Sequence, residues 1–248
     1  MSFDIIGDVH GCIDELNELI QKLGYTKKKG KYIPPSGRKL IFLGDITDRG
    51  PNSIAVIELV YQLVMEQKIA EYIPGNHCNK LYRFFSGNNV QQKHGLETTV
   101  AEWKHLKVQE QIQMKEKFMS LYEAAPLYLH FKEENLVIAH AGIKESFIGM
   151  TTGRVKSFVL YGDTTGQTDE QGRPIRRDWA RNYQGKAWII YGHTPVLEPR
   201  KVNRTINIDT GCVFGNKLTA LQFPEQNFVS VISKQPFLPN RFTTFNKD

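Results

Sequence analysis

Cysteine is scarce in this chain. Cys12, Cys78 and Cys212 are the only three among 248 residues, and they are widely separated. An odd, scattered set excludes a disulfide framework and suits thiols kept free in a reducing compartment. A core of this size needs no covalent staple. Long apolar runs are missing too. The stretch "IAVIELVYQLVM" is interrupted by Glu58 and Gln62 and falls well short of the roughly 20 residues that cross a bilayer. The opening "MSFDIIGDVHG" has no basic region followed by an apolar one, as a secretion signal would, so a cytoplasmic protein without membrane contact is expected. No Pro/Gly/Ser linker, repeat or low-complexity segment divides the chain. One domain over residues 1–248 is therefore expected, with a helical insertion or cap around 80–125.

Hydrophobic residues make up 40% and charged residues 23%, which is ordinary for a globular protein. The net charge of +6 is not spread evenly. It collects in "YTKKKGKY", which reads as a hairpin tip, and in "GRPIRRDWARNYQGK" and "EPRKVNR". A basic surface favours polyanionic partners, here a nucleotide more than a nucleic acid. Trp179 and Tyr183 lie among the arginines of the second patch, where an aromatic beside a guanidinium could grip a base and its phosphates.

One pattern recurs along the chain. A run of apolar, β-favouring residues ends abruptly in Asp, Asn or His beside a glycine, in "FDIIGDVHG", "KLIFLGDITDRG", "EYIPGNHC", "NLVIAHAG", "WIIYGHTP" and "TINIDTG". Such runs read as buried strands. Helical periods fill the early gaps, in "CIDELNELIQKL" and in "PNSIAVIELVYQLVM", where Pro51 sits near the first helical position. A long amphipathic stretch from Glu97 to Glu123 reads as a helical pair. Strand–helix alternation followed by strands predicts an α/β fold with sheets packed inside helices. In open α/β sheets chemistry gathers beyond the carboxyl ends of the strands. Asp8, His10, Asp45, Asn76, His140 and His193 all lie at such ends.

Together those six residues offer carboxylate, amide and imidazole donors. The mixture suits Mn, Ni, Fe, Co or Zn better than Mg or Ca, and ligand type alone does not select among those five. Two ions about 3.5–4 Å apart can clamp a phosphate and activate water, and Asp45, the most central carboxylate, is the candidate bridge. Arg49 is placed to neutralise phosphoryl oxygens, since a guanidinium binds phosphate bidentately and stays charged. His77 fits a general acid, with Asp48 as the carboxylate that orients it. Cys78 invites a different reading, as a thiol nucleophile. The loop of a cysteine phosphatase, however, needs one more residue between cysteine and arginine than "CNKLYR" provides.

The blocks "GDVHG", "GDITDRG", "GNHC", "HAG" and "YGHT", in that order from Gly7 to Thr194, resemble the signature of the phosphoprotein-phosphatase-type metallophosphoesterases. The resemblance implies a calcineurin-like fold, a central β-sandwich flanked by helices in four αββα layers, and a two-metal site on the six residues above. The segments "PGNHCNKLYR", "HGLETT", "RPIRRDWA" and "EPRKVNRTINIDTGCVFGNKLTA" are similar to the bacterial asymmetrical bis(5′-nucleosyl)-tetraphosphatases. That implies hydrolysis of diadenosine tetraphosphate to ATP and AMP. "NIDTGCVFG" is also similar to the phosphatase module of polynucleotide kinase-phosphatases, which implies a supporting role for Asp209. Alternatives are a Ser/Thr protein phosphatase, a phosphatase of nucleic-acid or nucleotide ends, and a non-catalytic nucleotide sensor, although no expected ligand is missing. Protein phosphatases carry arginine where this chain has Pro74, so another cation is needed. Lys80, Arg83, Arg176 and Arg177 are the candidates, with Trp179 as a further substrate-binding residue.

Overall fold

The computed structural model describes residues 1–169, 172 and 174–245. Two five-stranded sheets form its centre. The first contains β1 (Ser2–Ile6), β4 (Arg38–Phe42), β5 (Ala70–Tyr72), β13 (Lys217–Phe223) and β14 (Asn227–Ile232), in the order β14-β13-β1-β4-β5. The second contains β6 (Leu129–Phe131), β7 (Leu136–Ile138), β10 (Trp188–Tyr191), β11 (Arg200–Val202) and β12 (Thr205–Asn207), in the order β11-β12-β10-β7-β6. Two small hairpins stand apart. One is β2 (Thr26–Lys28) with β3 (Lys31–Ile33), whose tip carries the first lysine cluster, and the other is β8 (Thr164–Thr168) with β9 (Pro174–Arg176).

Residue alternation explains why the sheets stack. Successive side chains in a strand point to opposite faces. Phe3 and Ile5 of β1, Ile41 of β4, and Leu221 and Phe223 of β13 therefore face one way, and they meet Leu136, Ile138, Ile190 and Ile206 of the second sheet in a dry seam. Ile6, Leu40, Phe42, Leu218 and Ala220 face the other way, onto helices. Those are α1 (Ile13–Lys22), through Leu16, Leu19 and Ile20, and α2 (Ser53–Tyr61), through Val56, Ile57 and Val60. Helix α6 (Gly153–Tyr161) covers the far face of the second sheet, packing Val155 and Val159 on Val137, Ala139 and Ile189. The layers are helix, sheet, sheet, helix, as the resemblance implied.

The stretch after Gly75 folds as α3 (Asn76–Phe85), and the Glu97–Glu123 region forms α4 (Leu96–His105) and α5 (Val108–Ala124). Leu81, Leu96, Met114, Phe118 and Leu121 of these helices share the core of the first sheet. One boundary differs from the sequence reading. Pro51 precedes the α2 cap, which is Asn52, whose side chain accepts the Ala55 N–H at 3.0 Å. An amide oxygen satisfies a free helical donor that proline at the first position would merely not add to. No helix among the described residues is long and apolar enough to cross a membrane.

The pairing directions position the chemistry. β1 runs parallel to β4, and β4 to β5. In the second sheet β10 runs parallel to both β7 and β12. Each sheet thus delivers three strand ends to one edge.

Candidate active site

Beyond those six ends the backbone is forced into tight turns. His10, Asp48, Arg49 and His193 all adopt left-handed conformations, with φ of 46°, 74°, 70° and 69°. Side chains there cost roughly 1–2 kcal/mol each, and such strain persists where the surroundings fix it and collects at functional sites. Two glycines allow the close approach. A Cβ on Gly75 would collide with the Asp45 carboxylate, and one on Gly44 with the His140 ring.

His140 is the hub. Its Nε2 lies 3.1 Å from Asn76 Oδ1, 3.2 Å from His193 Nδ1 and 3.4 Å from Asp45 Oδ2. Its Nδ1 is 3.3 Å from Asp8 Oδ1. The other Asp8 oxygen accepts the His193 backbone N–H at 2.6 Å. Asp45 Oδ1 accepts the His77 backbone N–H at 2.8 Å, and Asp45 Oδ2 stands 3.9 Å from His10 Nε2. Asp209 accepts the Gly211 N–H at 3.0 Å and lies against Asp8. Arg49 reaches His10 Nε2 at 3.2 Å.

His77 has its own support. Its Nδ1 is 2.8 Å from Asp48 Oδ2. Asp48 Oδ1 accepts the Thr99 hydroxyl at 2.8 Å, while the Asp48 N–H donates to the hydroxyls of Ser53 and Thr99. Glu102 in turn accepts the backbone N–H groups of Ser53 and Ile54.

The charge states follow from crowding without water. Burial, reinforced by the charge of Asp8, raises Asp45 to about 7 against the pull of His140. Burial would raise Asp8 as well, but contact with His140 outweighs it and brings that carboxyl to about 2. Burial lowers His140, yet Asp45 and Asp8 lift it to about 9. Burial pushes His10 and His77 well below the usual imidazole range, with Arg49 adding to the effect. His193 is lowered in the same way, by burial and then by Arg176. Asp209 is held well above the usual carboxylate range by burial and by Asp8.

Residues 1–214 match the family model described as calcineurin-like phosphoesterase. The chain belongs to the calcineurin-like phosphoesterases. It is 65% identical, over 99% of its length and 98% of the relative's, to a protein of Oceanobacillus iheyensis named bis(5′-nucleosyl)-tetraphosphatase PrpE, asymmetrical. A protein of the same name from Halalkalibacterium halodurans is 60% identical over 99% of both chains. Among solved structures, one provisionally described as a diadenosine tetraphosphatase superposes with a TM-score of 0.65 at 22% identity, covering 94% of this chain and 93% of that one. This last likeness concerns the fold alone.

Membership among calcineurin-like phosphoesterases implies divalent metal ions, and the donors suit them. At the strand ends the ligand atoms of His10, Asp45 and His77 lie within 4.8 Å of one another, as do those of Asp45, His140 and His193. Asp45 belongs to both. Asp8 Oδ1 faces the charged His140 ring at 3.3 Å without a well-formed hydrogen bond, and His193 Nε2 is buried without a hydrogen-bond partner, which for such an atom costs about 1–3 kcal/mol unless something fills the space.

The cation candidates are placed unequally. Lys80 is half-buried, donates to the Lys93 carbonyl at 2.5 Å, and its charge bears on Asp48 and His77. Arg176 is half-buried against the Tyr161 carbonyl at 3.0 Å, and its charge bears on Arg49 and His193. Arg83 is exposed farther along α3. Arg177 points to Asp163, at 3.3 Å, and to the Thr164 carbonyl. Arg173, in the same basic stretch, lies outside the described residues.

The aromatics of the second basic patch are engaged in packing. Tyr183 is buried with its hydroxyl on the Ala187 carbonyl, and the Trp179 ring packs on Tyr191, Phe158 and Tyr183 and lies over Gly142. Tyr183 is spent on packing beneath the His140 turn, whereas Trp179 packs there and stays partly exposed. The "EPRKVNR" patch is likewise internally engaged. Arg200 forms a two-pronged bond with Asp178, and Lys201 and Arg204 lie on Trp188.

Sequence reasoning passed over Thr99, Glu102, Phe214 and Arg241. The Arg49 guanidinium lies 5.3 Å from the centre of the Phe214 ring, and that of Arg241 lies 5.6 Å from it. None of these four follows an apolar run, so no strand-end pattern marks them.

Proposed function

We propose that the chain is an asymmetrical bis(5′-nucleosyl)-tetraphosphatase, hydrolysing the four-phosphate bridge of a dinucleoside substrate to a nucleoside triphosphate and a nucleoside monophosphate. The near-end-to-end identity of 65% to a relative of that name carries the reading. Asp8, His10, Asp45, Asn76, His140 and His193 would hold two divalent ions, manganese or nickel by preference, with Asp45 shared between them. When bound, the ions supply Lewis-acid stabilisation of the phosphoryl group and activation of water.

The chain's own groups do the remaining work. Arg49, fixed by its left-handed backbone, neutralises oxygens of the attacked phosphate, where charge stabilisation is the main catalytic contribution. His77 delivers a proton from Nε2 to the departing oxygen, while its Nδ1–H stays on Asp48. Asp209 supports the Asp8 side of the cage. Lys80 and Arg176, whose charges bear on His77 and His193, are the better-supported candidates for the phosphate-binding cation that Pro74 cannot supply. A depressed imidazole is a weak reservoir of protons, which matters less when the leaving group is a nucleotide phosphate, already acidic, than when it is an alcohol.

The test is a side-by-side panel with manganese or nickel: diadenosine tetraphosphate, a phosphoserine peptide and a 5′-phosphorylated oligonucleotide. The expected result is fastest turnover of the tetraphosphate, with ATP and AMP in equal amounts. Faster turnover of the peptide, or two molecules of ADP as products, would overturn the reading.

A further inference from the structure

The family match stops at Phe214, yet the chain that follows returns to the site. After β14 it crosses the two loops that carry Asp209 and His193. The Leu238 N–H donates to the Phe214 carbonyl at 3.0 Å, and the Thr243 N–H donates to the Pro195 carbonyl at 2.8 Å. Between those anchors Phe237 and Phe242 stack at 5.5 Å, and the Phe242 ring fills the space beside Gly211 that a Cβ would need. A short 3₁₀ turn, Pro239–Arg241, is thereby held at a fixed height above the site.

That turn presents Arg241 to the face the mechanism uses. Arg49 and Arg241 share one aromatic ring, Phe214, which is itself buried. Arg49 has the carboxylates of Asp45, Asp209 and Asp48 around it, whereas Arg241 raises the cost of charging Arg49. Among the described residues no carboxylate pairs with Arg241, which stays exposed. A guanidinium over an aromatic face is attracted by the negative charge of the ring face. That attraction holds the two cations near one another but neutralises neither. An anion spanning both would.

We propose that Arg49, Phe214 and Arg241 form a polyphosphate subsite, in which Arg241 binds the phosphates adjoining the one under attack. Arg49 serves the reacting phosphate and Arg241 the rest of the chain, with Phe214 as the spacer that keeps both guanidiniums aligned. The ligand class is a chain of two or more linked phosphates, and a single phosphate would occupy only the Arg49 end. The inference deepens the proposed function, on which it rests for the identity of the substrate.

The experiment uses the full chain with Arg241→Ala and with Arg241→Met, which keeps an apolar stem against Phe214. Kinetics are measured with diadenosine tetraphosphate and with p-nitrophenyl phosphate, and binding of inorganic tripolyphosphate and of orthophosphate is followed by calorimetry. Loss of a charge-assisted contact should raise KM for the tetraphosphate and weaken tripolyphosphate binding by about ten- to a hundredfold, with kcat changed less. Turnover of p-nitrophenyl phosphate and binding of orthophosphate should hardly move, and Arg241→Lys should recover part of the loss. Equal damage to the one-phosphate and many-phosphate ligands in both variants would overturn the subsite, as would unchanged tripolyphosphate affinity. If tripolyphosphate binding depends on Arg241 while the wild-type protein leaves the tetraphosphate intact, the subsite stands and the proposed function falls.

Discussion

His77 is gripped at both ends: its backbone N–H donates to Asp45 and its Nδ1 meets Asp48, so its free Nε2 has one direction to point. Asp48 is itself fixed by Thr99 and by a left-handed backbone. Partners of this kind typically contribute 10–100-fold. Asp48→Asn should therefore lower kcat by about that factor while leaving metal affinity unchanged, which kinetics combined with a metal titration would check. His77→Asn should do more damage with an alkyl phosphate than with a phosphoanhydride, and equal loss on both would remove the proton-delivery role. Cys78 offers a contrast. Burial, with Asp45 nearby, pushes its thiol up to about 12, and its sulfur lies 3.8 Å from the Thr47 hydroxyl in the core. A thiol that stays protonated is no nucleophile. Cys78→Ala should keep metal-dependent turnover, with a stability loss of about 1 kcal/mol in denaturant unfolding. The six candidate cage residues could be picked out because each follows an apolar run close to a glycine. Arg241 was not, because its importance lies in a ring and a charge that other segments supply.

At the scale of elements, the strand pattern was legible because one register satisfies both faces of the first sheet. Asp4 breaks the alternation. It is fully buried on β1, and Arg38 of β4 bonds it at 2.9 Å while reaching Glu225 beyond β13 at 3.0 Å. Tyr25 and Gln222 donate to the same carboxylate. The guanidinium thus clips three strands at the end opposite the candidate site. Removing one partner of a buried pair typically costs 3–5 kcal/mol. Arg38→Met should destabilise the protein by about that amount without altering kcat of the folded fraction, as urea unfolding and kinetics would show. The packing of the aromatic segment around Trp179 was not legible, for an elementary reason. Interleaved arginines and aromatics announce a surface only if the rings face outward, and a four-residue 3₁₀ turn, Trp179–Asn182, is too short for a periodicity to reveal its inner face.

Across the whole molecule, the candidate cage lies on the seam between the sheets. Asp8, Asp45 and Asn76 follow strands of the first sheet, and His140, His193 and Asp209 follow strands of the second. Ions held there would add cross-links between two layers already joined by the apolar seam and by the contacts of Asp8 and Asp45 with His140 and His193, so loading should stabilise the fold. An ion at a hundred times its Kd adds about 2.7 kcal/mol. The pH dependence has a definite sign. Without metal, Asp45 titrates near 7 in the folded state, above its unfolded value. Its protonation therefore favours the fold at low pH, and that contribution disappears as pH rises through about 7. Metal binding must displace the same proton, so affinity weakens as pH falls below that point. The two effects act in one direction: the rise in Tm on adding manganese should be larger at about pH 8 than at about pH 6, with protons released on binding. Thermal melts at both values, with calorimetry in buffers of different ionisation enthalpy, would measure it. Asp45→Asn should abolish most of the shift at either pH. A shift of equal size at both pH values in the wild-type protein would mean that Asp45 does not hold the ion.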